Sequence, residues 1–122
     1  MRFVSIIIFV NVTNRYDSVD VIMSVIMGSF TEELIYRGIL FRFFSKYGEL
    51  CAVLVTGFLF GTMHMLSSFG NTNILLFLCQ WLDYFLSGIF LGFIYKKYKN
   101  IWINVSIHGT WNLIGAVMIL TK

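Results

Sequence analysis

From Ser18 to Leu120 the sequence alternates long apolar stretches with short breaks, and this alternation constrains the fold more than any other feature. The stretches lie at about residues 18–46, 49–66, 74–95 and 101–120. About 20 apolar residues in a helix cross a hydrocarbon core of roughly 30 Å at 1.5 Å per residue. Proline is absent, so no residue removes a backbone donor or forces a kink. Asp17, Ser18 and Asp20 supply helix-start chemistry, Gly48 breaks the first stretch from the second, and KKYKN separates the last two. The expected fold is all-α: a polytopic transmembrane bundle of about four long helices plus a short apolar N-terminal segment. That segment, FVSIIIFVNV, is too short to cross a bilayer and carries no small-residue cleavage pattern after it. Residues 1–17 are thus expected to be a short apolar segment or a truncated span, and residues 18–122 a single core.

Composition sharpens this reading. Hydrophobic residues make up 58% of the chain and charged residues 12%, where soluble domains carry about 25% charged residues. The formal charge of +3 is spread over short loops rather than gathered on one soluble face, which argues against nucleic acid as a partner and for the lipid bilayer. Arg42 and Lys46 end the first stretch, Lys96, Lys97 and Lys99 end the third, and SSFGNTN between the second and third has no charge. The positive-inside tendency places the two basic ends in the cytoplasm and the 67–73 loop outside. Cys51 and Cys79 lie inside apolar runs and are expected to act as small buried hydrophobes, not as a disulfide.

Against this background Glu32, Glu33, Arg37, His64, Asp83, His108 and Asn112 stand out. Each ionisable group at the centre of a bilayer costs about 2.5–3.5 kcal/mol on insertion scales and is a functional hypothesis by default. Glu33 and Arg37 are one helical turn apart and can pair, whereas Glu32 points about 100° away and can face a cavity. Phe60 lies one turn before His64, placed to pack against the imidazole. His108 and Asn112 share a face and can both donate to one point, as a developing oxyanion requires. Counted from the cytoplasmic helix ends at 1.5 Å per residue, Glu32 and His64 lie about 20 Å deep, Asn112 about 16 Å and His108 about 10 Å. Asp83 is expected to line a cavity or pair helices.

These residues resemble a known family. EELIYR is similar to the EExxxR motif of the CPBP intramembrane proteases, the group containing the CAAX prenyl endopeptidase Rce1 and the bacterial Abi proteins. FGTMH is similar to that family's FxxxH and HGTWN to its HxxxN, in the same order and on separate apolar stretches. The resemblance covers roughly residues 20–120. It implies an intramembrane endopeptidase that acts on a membrane-associated or prenylated peptide or protein. Glu32 and His64 would activate water, His108 and Asn112 would form the oxyanion hole, and Glu33 and Arg37 would brace the site. An integral protein of a bacterial cytoplasmic membrane is the expected setting.

Besides a transporter or proton-relay fragment, which the polarity of Gln80 and Asp83 in the third stretch would suit, two alternatives stay open. Glu32, His64 and His108 make a set of two histidines and a glutamate that also suits catalytic zinc, although the resemblance favours a site without cofactor. Abi-type relatives are associated with bacteriocin immunity, so a membrane protein that binds such a peptide without cutting it is the other.

Overall fold

The structure, a computed structural model, describes residues 18–66, 70 and 73–120. The apolar segment expected at residues 3–12 lies outside them, as does most of the 67–73 loop. Among the described residues the backbone is helical almost throughout. The α-helices are α1 (Ser18–Glu33), α2 (Glu49–Met65), α3 (Ile74–Tyr98) and α4 (Ile101–Leu120), with a short α-helical turn at Arg42–Phe44. The all-α bundle is the fold.

The first stretch departs from the uninterrupted α-helix expected over residues 18–46. After α1 the chain runs on as a π-helix over Leu34–Phe41, then the α-turn, then a 3-10 turn over Ser45–Tyr47. Such widening concentrates at functional sites. Here it falls where Arg37, fully buried, is bound both to Glu33 and to the carbonyl of Gly88 on α3. The bond to Gly88, a tertiary contact that local propensity does not encode, holds the widened turn. The third helix runs three residues past the expected end at Tyr95, because Lys96 and Lys97 suit a helix C-terminus, where basic side chains meet the negative end of the dipole. Lys99 closes it in the left-handed conformation.

Close packing of α2 on α3 is made possible by glycine. A Cβ on Gly57 would lie 2.8 Å from a side-chain carbon of Ile89, and one on Gly88 would lie 2.9 Å from the Cα of Gly57. The two helices therefore touch backbone to backbone, the arrangement that small residues four apart permit in membranes. α1 packs mainly against α4. Apolar clusters fill the rest: Phe41, Ala52, Val53 and Tyr95 at one end, Val21, Val25 and Ala116 at the other, and Tyr36, Phe60, Met65 and Tyr84 between α2, α3 and the π segment.

The outside is apolar as well. Val19, Ile26, Leu54, Phe58, Leu82, Phe90, Phe93 and Val117 are all exposed. A continuous apolar exterior is far beyond what a soluble monomer shows, and suits lipid. α3 is long and apolar enough to cross a membrane, its 25 residues reaching about 37 Å. α2 is apolar but shorter, at 17 residues. Cys79 is exposed on this surface and Cys51 half-buried, so neither is the fully buried hydrophobe expected; both are free. On an apolar exterior a thiol is as compatible with lipid as a buried one is with a core.

Candidate active site

The polar groups meet where α1, the π segment, α2 and α4 converge. Glu33, fully buried, is the hub. Its Oε1 accepts from Arg37 Nη1 at 3.0 Å and from His108 Nδ1 at 2.8 Å, and its Oε2 accepts from Asn104 Nδ2 at 3.2 Å. Arg37 donates its other terminal nitrogen to the Gly88 carbonyl at 2.7 Å, with its guanidinium near the rings of Phe60 and Tyr36. A buried charge is tolerated only when paired and hydrogen-bonded, and this pair is both. Glu33 therefore does more than neutralise Arg37: it also orients a histidine.

Glu32, one residue earlier, occupies a different environment. Its Oε2 lies 3.5 Å from His64 Nε2 and 3.5 Å from His108 Nε2. These separations are longer than an ordinary N–H···O hydrogen bond, and Oε2 is a buried atom with no hydrogen-bond partner in the protein. The two imidazoles arrive from different helices yet present the same nitrogen. His64 Nδ1 donates to the Phe60 carbonyl at 2.8 Å, and His108 Nδ1 donates to Glu33. With a carbonyl and a carboxylate as acceptors, each Nδ1 carries the proton and each Nε2 is turned toward Glu32.

Aromatic rings fix the imidazoles further. The Phe60 ring lies 4.2 Å from that of His64, whose other side meets Tyr84 at 4.7 Å in a stacked arrangement. Asn112 stands one turn beyond His108 and donates Nδ2 to Ser29 Oγ at 3.1 Å, which turns its amide toward α1. His64, His108 and Asn112 line one pocket, of about 320 Å³, together with Asp83. Of the residues singled out in the sequence, Glu32, Glu33, Arg37, His64 and His108 form one connected cluster; Asn112 and Asp83 border the adjoining pocket. Among the described residues, no three His, Cys, Asp or Glu side chains are arranged to hold a metal ion.

Reading the sequence overlooked Asn104 and Ser29. Asn104 is fully buried and donates to both Glu33 and the Leu91 carbonyl, at 3.2 and 2.7 Å. The signal was present: Asn104, His108 and Asn112 recur at every fourth residue of α4, as do Ser29, Glu33 and Arg37 on the facing chain. Two polar stripes on antiparallel helices meet rung by rung, Ser29 with Asn112 and Glu33 with His108.

The chain is 38% identical over 91 residues to UPF0177 protein YvdC of Lactococcus lactis subsp. lactis (strain IL1403), an alignment covering 75% of this chain and 31% of that protein. The chain thus spans about a third of the length of this curated relative. No solved structure matches it. A sequence model of the family described as type II CAAX prenyl endopeptidase Rce1-like, a membrane protein family, matches residues 14–114, which include every residue of the Glu–His cluster. The chain therefore belongs to the Rce1-like family of type II CAAX prenyl endopeptidases.

Proposed function

We propose that the chain is an intramembrane endopeptidase core in which Glu32 serves as the general base. The observation that carries the reading is the placement of one buried carboxylate oxygen of Glu32 within 3.5 Å of two imidazole nitrogens from separate helices. The nucleophile in this reading is a water held beside that oxygen rather than between it and the imidazoles. In the proposed reaction the water oxygen bonds to the scissile carbonyl carbon while Glu32 takes its proton; Glu32 hands that proton to His64 Nε2, which passes it to the amine as the C–N bond breaks. His108 and Asn112 donate to the tetrahedral oxyanion. Because His108 Nδ1 already donates to Glu33, donation by Nε2 takes the doubly protonated ring. Asn112 keeps a second amide N–H beyond the one given to Ser29.

The substrate class is a membrane-associated or prenylated peptide or protein, hydrolysed without a cofactor in a bacterial cytoplasmic membrane with the basic loops on the cytoplasmic side. The test is cleavage of such peptides by reconstituted protein, with products read by mass spectrometry. Glu32→Gln should lower the rate by at least about 100-fold, the usual contribution of a positioned base. Equal cleavage by both proteins would reject the assignment. Retained activity in a strong chelator is expected; loss restored by zinc would favour the metal version. Peptide binding without cleavage, unchanged in Glu32→Gln and His64→Ala, would favour an immunity-type role.

A further inference from the structure

We propose that Asn104 is a positioning residue of the site: it holds the Glu33 carboxylate so that His108 keeps its proton on Nδ1 and its Nε2 turned toward Glu32. The catalytic use of that imidazole rests on the endopeptidase reading above. Asn104 belongs to none of the three motifs and stands one turn before His108 on α4.

The need for such a hold follows from where the donors fall on Glu33. Arg37 Nη1 and His108 Nδ1 both reach Oε1, at 3.0 and 2.8 Å. Two donors on one oxygen leave the carboxylate able to swing about that oxygen, because the terminal torsion of a glutamate has broad minima. A donor on the second oxygen removes this freedom, and Asn104 Nδ2 supplies it, 3.2 Å from Oε2. The same nitrogen donates its other hydrogen to the Leu91 carbonyl at 2.7 Å, so the amide is itself fixed to α3. Arg37 is tied to α3 as well, at the Gly88 carbonyl. Both oxygens of Glu33 are thereby referenced to one helix backbone, and the ring of His108 takes its orientation from them.

Packing alone does not account for an asparagine here. The residue is fully buried inside α4, where asparagine is a weaker helix former than leucine. Both atoms that its nitrogen faces are acceptors, which fixes the sense of the amide. Its Oδ1 is then buried without a hydrogen-bond partner among the described residues. An unpaired buried carbonyl is unfavourable, and a leucine has the same branched outline without that defect. What asparagine supplies is a neutral donor of two hydrogens. It fixes the carboxylate without adding a charge, so the charge of Glu33 remains directed to Arg37 and His108.

The experiment uses the full chain in lipid nanodiscs with isotope-labelled histidine. The chain has two histidines, so a His64→Phe variant assigns both. The nitrogen spectrum reads which ring nitrogens carry a proton. In the unaltered protein His108 should be protonated at Nδ1 throughout. Asn104→Leu, which removes the donor, and Asn104→Ala, which cannot overpack, should each give His108 a mixture of ring tautomers and leave the His64 spectrum as it was. An unchanged His108 spectrum in either variant overturns the proposal. So does an equal change at His64, the mark of a merely structural effect. Should neither variant fold, the unaltered protein decides: both side-chain amide protons of Asn104 should resist exchange with solvent, and free exchange overturns the hold. Cleavage assays separate the two ideas. Asn104→Ala should lower kcat about tenfold and leave KM within about twofold, because the residue touches no substrate. A changed His108 spectrum with unchanged kcat defeats the catalytic use of His108 and leaves the hold. Absence of cleavage by the unaltered protein defeats the endopeptidase, while the His108 spectrum still decides Asn104.

Discussion

Glu32 and Glu33 are adjacent and chemically identical, yet their surroundings assign them opposite tasks. Glu33 has no exposed surface and three donors, so its charge is spent within the protein. Glu32 keeps a buried oxygen without a hydrogen-bond partner, facing two imidazoles. Removing one partner of a buried ion pair strands the other and costs about 3–5 kcal/mol. Glu33→Gln should therefore lower the unfolding free energy by roughly that amount in detergent, and the double variant Glu33→Gln/Arg37→Met should recover part of it. Glu32→Gln alters a carboxylate whose buried oxygen has no hydrogen-bond partner in the protein, and should cost less than Glu33→Gln. Thermal unfolding that ranked the two single variants in the opposite order would exchange their roles.

Among the elements, the α2–α3 contact governs the site because Arg37 is anchored to a carbonyl of α3 at Gly88. A methyl group at Gly88 would press on the Gly57 backbone, and the helices would have to separate. Gly88→Ala is expected to cost about 1–3 kcal/mol, as overpacking does, and to lower any cleavage by shifting the acceptor of Arg37. Gly28 on α1 is the control, since nothing lies within 4 Å of its would-be Cβ. Gly28→Ala should stabilise by about 0.5–1 kcal/mol through helix propensity. If the two substitutions proved equally mild, the glycine contact would not be what sets the spacing of α2 and α3. At the outer edge of the same pair, Trp81 Nε1 donates to Thr62 Oγ1 at 3.2 Å and Trp81 stacks on Phe85. This indole thus packs helix on helix, as an aromatic with a polar edge can.

At the scale of the whole molecule, an apolar exterior surrounds an interior in which apolar clusters enclose one polar network. Trp102 is exposed next to the basic loop and stacks on Phe30, where an interfacial aromatic belongs. The charge placement predicts an orientation. In a background with Cys51 and Cys79 replaced by alanine, a Ser68→Cys variant in intact cells should react with an impermeant maleimide. Lys97→Cys should react only after the cells are opened. Labelling of position 97 from outside would invert the topology drawn from the positive-inside tendency.

The sequence alone carried the helical class, the four long stretches and the motif residues, because these follow from local periodicity and from the cost of charge in lipid. It also held the fourfold-spaced stripes of Ser29, Glu33 and Arg37 and of Asn104, His108 and Asn112, which a reading by motif passed over. Only the tertiary structure decided how those stripes pair, that His108 lies between both glutamates, and that the first helix widens to a π turn after Glu33. The reason is range. Helical spacing determines which residues share a face, but which face meets which depends on glycine contacts and hydrogen bonds between residues 50 to 80 positions apart, such as Arg37 with Gly88 and Glu33 with His108.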